Sequence, residues 1–207
     1  MDCKEYLTKI FPAFDYTDIS QSTTTLTQYP HIRFELGGDL KSCSDERLHQ
    51  AYFRSFDLIQ QIFNSTDELL YLLVNDYGPG DFFTNTPSEY VYTLITDYRH
   101  HDQEELVYVD DEDKKQKFLQ NIYTLQWSQI DYKKILEGIA NLEQGREPGV
   151  SQAIFFINFH DDIIFYMYDD RGCLIASKTA DKIRKIYQKK NDWIVEYHRP
   201  EIEKYFL

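Results

Sequence analysis

The stretch that most constrains the fold runs from Ile154 to Trp193, near the C-terminus. Two apolar runs, 154–157 and 163–167, flank a polar turn that contains His-Asp-Asp, which is the pattern of a β-hairpin. A second turn, over 169–172, leads into a third short apolar run. Three consecutive antiparallel strands are therefore expected.

A helix is expected after the third strand. Thr179 is suited to the N-cap position, and Ile183, Ile186 and Tyr187 recur at helical spacing. Six basic residues against one Asp give the segment 178–190 a net charge of +5, which is typical of a solvated helix face. The pattern predicts an α+β fold, a mostly antiparallel sheet with helices packed on it, whose residues 150–207 form a C-terminal β-hairpin, strand and helix unit.

Apolar periodicity predicts further elements along the rest of the chain. The expected helices are 2–11, 45–64 (with Ser44 as N-cap) and 132–142, and the expected strands are 31–36, 69–74, 87–96 and 121–127. Residues 65–68 resemble a capping box, so a helix is the alternative to the strand at 69–74. The segment 15–29, rich in Ser, Thr and Gln, is expected to cross the surface as a loop. A single domain over 1–207 is expected, with 1–40 as a separate N-terminal arm in the alternative.

Charge bounds the class of partner. The chain carries a net charge of −13, and the segment 97–113 holds eight carboxylates against Arg99 alone. Phosphate contacts need Lys and Arg, so a nucleic-acid partner ranks last. The tract is expected to be a solvated loop and, in the alternative, a docking surface for a basic protein partner. The residues of that surface are Asp102, Glu104, Glu105, Asp110, Asp111, Glu112 and Asp113.

Motifs for cofactors, metals and membranes are missing from the sequence. The three cysteines are widely spaced, and the Gly-Pro-Gly at 78–80 is not followed by the Gly-Lys-Ser/Thr of a phosphate loop. No metal and no cofactor are therefore expected. No apolar run approaches the roughly 20 residues that span a bilayer, and the first residues lack an apolar signal region. A cytoplasmic protein is expected.

Charged and aromatic residues at turns and strand ends form a candidate functional surface. They are Arg33, Glu35, Asp76, Asp169, Asp170, Arg171 and Trp193. Cys173 and His160 are expected near opposite ends of the hairpin, too far apart to act as nucleophile and base. Arg171 beside two aspartates is expected to fix the turn, and Gly172 is expected to adopt positive φ there. No catalytic residue is assigned.

Three motifs resemble those of a known family. Their sequences are Arg-Phe-Glu-Leu-Gly at 33–37, Tyr-Asp-Asp-Arg-Gly-Cys at 168–173 and Asn-Asp-Trp-Ile at 191–194. In order and spacing they resemble an uncharacterised bacterial family, domain of unknown function 3885, from the N-terminal helix to residues 200–202. The resemblance implies a soluble bacterial protein and brings no established activity.

Three functions remain open. The favoured one is a non-enzymatic protein-binding module, for example an immunity-type protein that neutralises a toxin through its acidic surface, by analogy of class and size. The alternative is an enzyme that acts on a small molecule through Asp76, Asp169 and Arg171. A second alternative is a nucleic-acid-binding module that uses the basic segment 178–190 and nearby aromatic residues.

Overall fold

A computed structural model describes residues 1–77, 88–109 and 115–207. The described residues form one seven-stranded antiparallel sheet with the strand order β1-β7-β6-β5-β2-β4-β3. The strands are β1 (His31–Glu35), β2 (Leu69–Asp76), β3 (His100–Val109), β4 (Lys115–Gln126), β5 (Ala153–Asn158), β6 (Ile163–Asp169) and β7 (Gly172–Ser177). The helices are α1 (Cys3–Ile10), α2 (Ile19–Leu26), α3 (Asp45–Gln60), α4 (Tyr132–Glu143), α5 (Ala180–Lys189) and α6 (Arg199–Glu203). The expected α+β class and the C-terminal strand-and-helix unit are confirmed.

Helices cover both faces of the sheet. Successive side chains of a strand point to opposite faces, and in β5 both Phe155 and Phe156 are fully buried. Phe156 packs in the core formed with α3, α4 and α5, which we call the first face. Phe155 packs in the core formed with α1 and α2, the second face. The central strands are therefore apolar on both sides, as layered α/β packing requires.

The long helix α3 begins where the sequence predicts. The side chain of Ser44 accepts a hydrogen bond from the backbone N–H of Arg47 (3.2 Å), which satisfies one of the free donors of the first turn. Asp45 and Glu46 lie in that turn, where the helix dipole favours negative charge. Residues 69–76 form the predicted strand rather than the helix that the capping-box pattern allowed.

The segment 15–29 is not a loop throughout, because Ile19–Leu26 forms the helix α2. The hydroxyl of Ser22 donates to the carbonyl oxygens of Asp15 and Asp18 (both 2.8 Å), so it is satisfied within this segment. Leu26 is fully buried against the second face. This tertiary contact overrides the low helix propensity of a Ser- and Thr-rich sequence.

The strand predicted at 87–96 is wrong, since Ser88–Leu94 forms a 3₁₀ helix. Side chains three positions apart share one side of such a helix, and Val91 and Leu94 are buried in this way. The alternation of Tyr90, Tyr92 and Leu94 is therefore not a strand pattern.

The solvated loop expected at 97–113 is also wrong over most of its length. Residues 100–109 form β3, which pairs with β4 along its whole length, from His100 opposite Thr124 to Val109 opposite Lys115. β3 lies at the edge of the sheet, so its carboxylates stay hydrated while the backbone gains a full ladder of hydrogen bonds. Asp110, Asp111, Glu112 and Asp113 lie outside the described residues, as does the Gly-Pro-Gly at 78–80.

Within the described ranges, none of the helices has both the length and the apolar character needed to cross a bilayer.

Candidate functional site

The three family motifs meet beside the edge strand β1. β1 runs antiparallel to β7, which places Glu35 opposite Gly172. Beyond β1, Phe34 forms an isolated β-bridge with Ile194. The N–H of Leu36 donates to the carbonyl of Arg171 (2.8 Å). The motifs are therefore joined to one another through their backbones.

Arg33 connects two of these motifs to the C-terminal segment. Its Nε donates to the hydroxyl of Tyr168 (3.1 Å), and its Nη1 lies 2.9 Å from Nε2 of His198. Burial and the positive charge of Arg33 lower the pKa of His198. The neutral imidazole then accepts the hydrogen bond from Arg33. Arg33 is thus occupied by partners within the chain.

Asp170 forms a buried ion pair with Arg47 of α3. Oδ2 of Asp170 lies 2.5 Å from Nε of Arg47, and the two side chains are 1% and 11% exposed. Nη1 of Arg47 also donates to the carbonyls of Gly38 (2.8 Å) and Leu40 (3.0 Å). Removing either partner would leave a buried charge uncompensated, so this pair ties the β6–β7 turn to α3.

Asp169 and Arg171 fix the turn itself. Oδ1 of Asp169 accepts from the backbone N–H of Arg171 (2.8 Å), and Oδ2 accepts from its Nε (2.6 Å). This hydrogen bond and the charge of Asp169 raise the pKa of Arg171. The pair therefore stabilises the turn, as the sequence predicts.

The expectation that Gly172 adopts positive φ is wrong. The glycines with positive φ in the described ranges are Gly38 and Gly145. A Cβ at position 172 would instead lie 2.7 Å from the carbonyl oxygen of Phe34 and against the hydroxyl of Tyr168. Glycine is required here because β1 and Tyr168 approach the backbone closely.

Asp76 stands apart from the turn. Its Oδ2 accepts from the hydroxyl of Tyr92 (3.1 Å) and from Nε2 of Gln152 (3.3 Å). β5 lies between β2 and β6, so the ends of the strands that carry Asp76 and Asp169 are two strand spacings, about 10 Å, apart. The hydrogen bonds that Asp76 makes within the described ranges go to Tyr92 and Gln152, not to Asp169 or Arg171.

Trp193 is held by α3 and the end of α5. Its ring meets the ring of Phe53 edge-on, with centroids 6.1 Å apart. Nζ of Lys190 lies 4.4 Å and the guanidinium carbon of Arg54 5.3 Å from the ring centroid of Trp193. Arg54 also donates to the carbonyl of Glu35 (2.8 Å), whose side chain is exposed. Trp193 therefore anchors the segment that follows α5.

Cys173 lies at the opposite end of the β5–β6–β7 meander from His160. Cys173 pairs with Met167 late in β6, whereas His160 lies in the turn before β6. Complete burial raises the pKa of the Cys173 thiol. A buried, protonated thiol is a poor nucleophile, so this cysteine serves packing.

The acidic residues of β3 form a second polar region, which we call the acidic edge: Asp102, Glu104 and Glu105. Asp102 and Glu104 lie on one side of the strand, where Asp102 contacts His100 (2.9 Å) and Glu104 pairs with Lys4. Glu105 lies on the other side and pairs with Lys117 (2.6 Å). These ion pairs are well exposed to solvent, and exposed pairs contribute little to stability.

A cavity of about 250 Å³ lies between the start of α1 and the strands β3 and β4. We call it the α1–β3 cavity, and its polar walls include Asp2, Lys4, Asp102, Glu104 and Gln120. The cavity could not be predicted from the sequence, because it depends on α1 packing beside an edge strand. The available signal was Gln120, a polar residue among the apolar alternation of Phe118 and Ile122.

Within the described ranges, no group of three or more His, Cys, Asp or Glu residues could hold a metal ion.

The fold and these regions define an α+β protein with one antiparallel sheet, whose three motifs are hydrogen-bonded to one another. The chain belongs to the family described as Domain of unknown function (DUF3885), whose model matches residues 5–198. It is also similar to Uncharacterized protein YnaE of Bacillus subtilis (strain 168), with 48% identity over 44 residues. That match covers 21% of this chain and 21% of YnaE, so the two are aligned over about a fifth of their lengths. No solved structure matches.

Proposed function

We propose that the chain is a non-enzymatic protein-binding module that engages a basic protein through the acidic edge. The observation that carries the proposal is the position of Asp102, Glu104 and Glu105 on an ordered edge strand. In the described part of the chain, β3 lies at the end of the sheet and pairs with β4 on one side. The backbone N–H and C=O groups on its other side are not paired with a described strand. An extended segment of a partner can add to such an edge through its backbone.

The charges of the edge select the kind of partner. Carboxylates project from both sides of β3, because alternate residues of a strand point in opposite directions. A basic segment that lies along β3 would meet acidic groups on both of its own sides. Such complementarity speeds association and rejects acidic competitors.

The other candidate surfaces support binding less well. Arg33, Asp169, Asp170 and Arg171 contact one another's motifs or α3, as described above. Two of the four cations of α5 have acidic neighbours: Lys182 pairs with Asp161 (2.8 Å) and Arg184 with Asp181 (3.1 Å). Neither the enzyme nor the nucleic-acid function gains a specific observation from this geometry.

We further propose that the chain has an immunity-type role in the cytoplasm, in which the basic partner is a toxin. Support comes from the acidic charge of the chain and from its three free cysteines, which suit a reducing compartment. We expect the toxin to be encoded by the gene next to that of this chain. Expression of this chain should then restore growth to cells that produce the protein encoded by that neighbouring gene. Persistent growth arrest with both proteins present would contradict the immunity-type role.

The test of binding compares two triple variants with the same change in charge. One neutralises the acidic edge: Asp102→Asn, Glu104→Gln and Glu105→Gln. The control neutralises three exposed carboxylates elsewhere: Asp39→Asn, Asp67→Asn and Asp192→Asn. Each protein is immobilised and exposed to lysate of its own source organism, and retained proteins are identified by mass spectrometry.

We expect a basic protein to be retained by the wild type and the control, lost from the edge variant, and released by added salt, because exposed charges are screened. Equal retention by the two triple variants would refute the role of the acidic edge. Recovery of no protein, together with a small molecule bound to the purified chain, would favour the enzyme instead.

A further inference from the structure

The α1–β3 cavity contains a buried acceptor that no described residue satisfies. Gln120 is fully buried, and its Oε1 has no hydrogen-bond partner in the described part of the chain. A buried polar atom without a partner carries a free-energy cost, so a native structure that retains one needs an explanation. Gln120 lines the cavity together with Glu104, which lies opposite it on β3.

The neighbouring hydrogen bonds fix the orientation of this amide. The carbonyl of Tyr16 can only accept, so Asn75 turns its Nδ2 towards it (2.7 Å). Oδ1 of Asn75 then accepts from Nε2 of Gln120 (2.9 Å). Nε2 of Gln120 is therefore committed to Asn75, and Oε1 is the atom of this amide that still lacks a donor. A ligand in the cavity would therefore need a hydrogen-bond donor to satisfy this oxygen.

The charges around the cavity favour a cationic donor. Asp2, Asp102 and Glu104 contribute three carboxylates against the single ammonium of Lys4. The start of α1 offers no competing anion site, since Asp2 Oδ1 already accepts from the N–H of Glu5 (2.8 Å). The side chains of Lys4 and Glu104 are 40% and 41% exposed, so their ion pair contributes little to stability. A cationic ligand that binds Glu104 can therefore replace Lys4 at little cost in free energy.

The size and chemistry of the cavity narrow the ligand further. Its volume of about 250 Å³ is below the roughly 300–1,000 Å³ of pockets for drug-sized ligands and suits a single side chain. Cys3 lies in the wall, but burial raises the pKa of its thiol, so covalent chemistry is not favoured there. A planar guanidinium presents several N–H donors and is weakly hydrated. It can serve the amide oxygen and a carboxylate together.

We propose that the α1–β3 cavity receives the guanidinium group of an arginine side chain from the basic partner. This inference rests on the proposed function, because Asp102 and Glu104 belong both to the cavity wall and to the acidic edge. The arginine would donate to Oε1 of Gln120 and to Glu104, while the rest of the partner lies along β3. The cavity thereby adds a specific anchor to a general attraction of charge.

The first test uses a defined probe and nuclear magnetic resonance. N-acetyl-L-arginine amide is titrated into the full chain, with its neutral analogue N-acetyl-L-citrulline amide as the matched ligand. We expect saturable shifts of the Gln120 side-chain amide with the arginine probe and at least about tenfold weaker binding of citrulline, which lacks the charge. Equal affinity for both probes, or no saturable shift with arginine, would overturn the inference.

The second test uses matched variants of neighbouring residues. Glu104→Gln and Gln120→Met should each weaken the arginine probe by about fivefold or more, whereas Glu105→Gln on the other side of β3 should leave its affinity unchanged. Glu104→Gln alters a partly exposed side chain, so the test does not depend on whether Gln120→Met folds.

The same variants, assayed with the partner protein, separate the two proposals. Equal weakening by Glu104→Gln and Glu105→Gln would leave the acidic edge as the binding surface and reject the cavity as its anchor. If the arginine probe binds saturably but the lysate experiment recovers no basic protein, the occupant is a free guanidinium compound, and the partner's arginine is rejected.

Discussion

Gly145 and Gly172 are both constrained, but by different forces. Gly145 has a φ of +62°, and nothing lies within 4 Å of the position that a Cβ would take. Gly172 lacks positive φ, but its added Cβ would press on the carbonyl oxygen of Phe34 and the hydroxyl of Tyr168. Backbone conformation therefore restricts position 145, and space restricts position 172.

This difference predicts opposite responses to asparagine. Gly172→Ala should lower the free energy of unfolding by about 1–3 kcal/mol through overpacking, and Gly172→Asn should lower it further. Gly145→Ala should cost about 1 kcal/mol, and Gly145→Asn should recover part of that loss, since Asn tolerates the left-handed region. Urea denaturation measures all four variants. Tolerance of Asn at 172 but not at 145 would contradict the assignment.

At the scale of elements, the two edges of the sheet are protected in different ways. The edge of β1 is covered by the segment after α5: the N–H of Val195 donates to the carbonyl of Arg33 (3.0 Å). The edge of β3 carries charge instead. Covering and charging are two established means of keeping an edge strand from pairing with another chain.

Proline at position 195 isolates the hydrogen bond that covers β1. Val195 has a φ of −59°, and Ile194 lies in the extended region (φ −68°, ψ 132°), so Val195→Pro fits the backbone and removes the N–H. We expect a loss of about 0.5–1.5 kcal/mol in the free energy of unfolding beyond that of Val195→Ala, which keeps the N–H. Thermal or urea denaturation compares the two. If the proline variant is as stable as the alanine variant, this hydrogen bond does not stabilise the edge.

At the scale of the whole molecule, the first thirty residues complete the packing of the sheet. Leu7 and Phe11 are buried on the second face, and the hydroxyl of Tyr6 donates to Oδ1 of Asp162 (2.8 Å). Lys178 Nζ donates to the carbonyl of Ile10 (3.0 Å). The two cores share the strands between them, so a single domain stays our prediction, in preference to a separate arm.

A single domain predicts that damage on the second face weakens the first face equally. The two tryptophans, Trp127 and Trp193, pack with the first face, so their fluorescence reports its unfolding. Leu7→Ala, on the second face, should lower the free energy of unfolding obtained from the fluorescence transition in urea by about 2–5 kcal/mol. Ile183→Ala, on the first face, should lower it by a similar amount. Far-ultraviolet circular dichroism should show the same midpoint. An unchanged fluorescence transition in Leu7→Ala would indicate an independent arm.

The parts that could be predicted from sequence are those whose signals are local. The apolar runs of β5 to β7 and the apolar stripe of α3, with its N-cap, are patterns within short stretches of sequence. Their periodicity is therefore enough to predict these elements. Other parts depend on distant partners: Asp170 meets Arg47 across 123 positions, and β3 is a strand because β4 lies beside it. The α1–β3 cavity likewise joins the chain start to Gln120. Local patterns carry no information about such pairs.

The unequal edges of the sheet also limit how copies of this chain can assemble. The side of β1 is occupied by the chain's own C-terminal segment, so β3 is the one edge of the described sheet at which a second copy could add. A contact between two β3 strands uses the same patch on both copies, which closes after one pair and cannot propagate into a fibre. Mutual repulsion of the carboxylates opposes even that pair. Homotypic growth along the sheet therefore stops at a two-fold dimer, and a basic partner that lies along β3 excludes even that dimer.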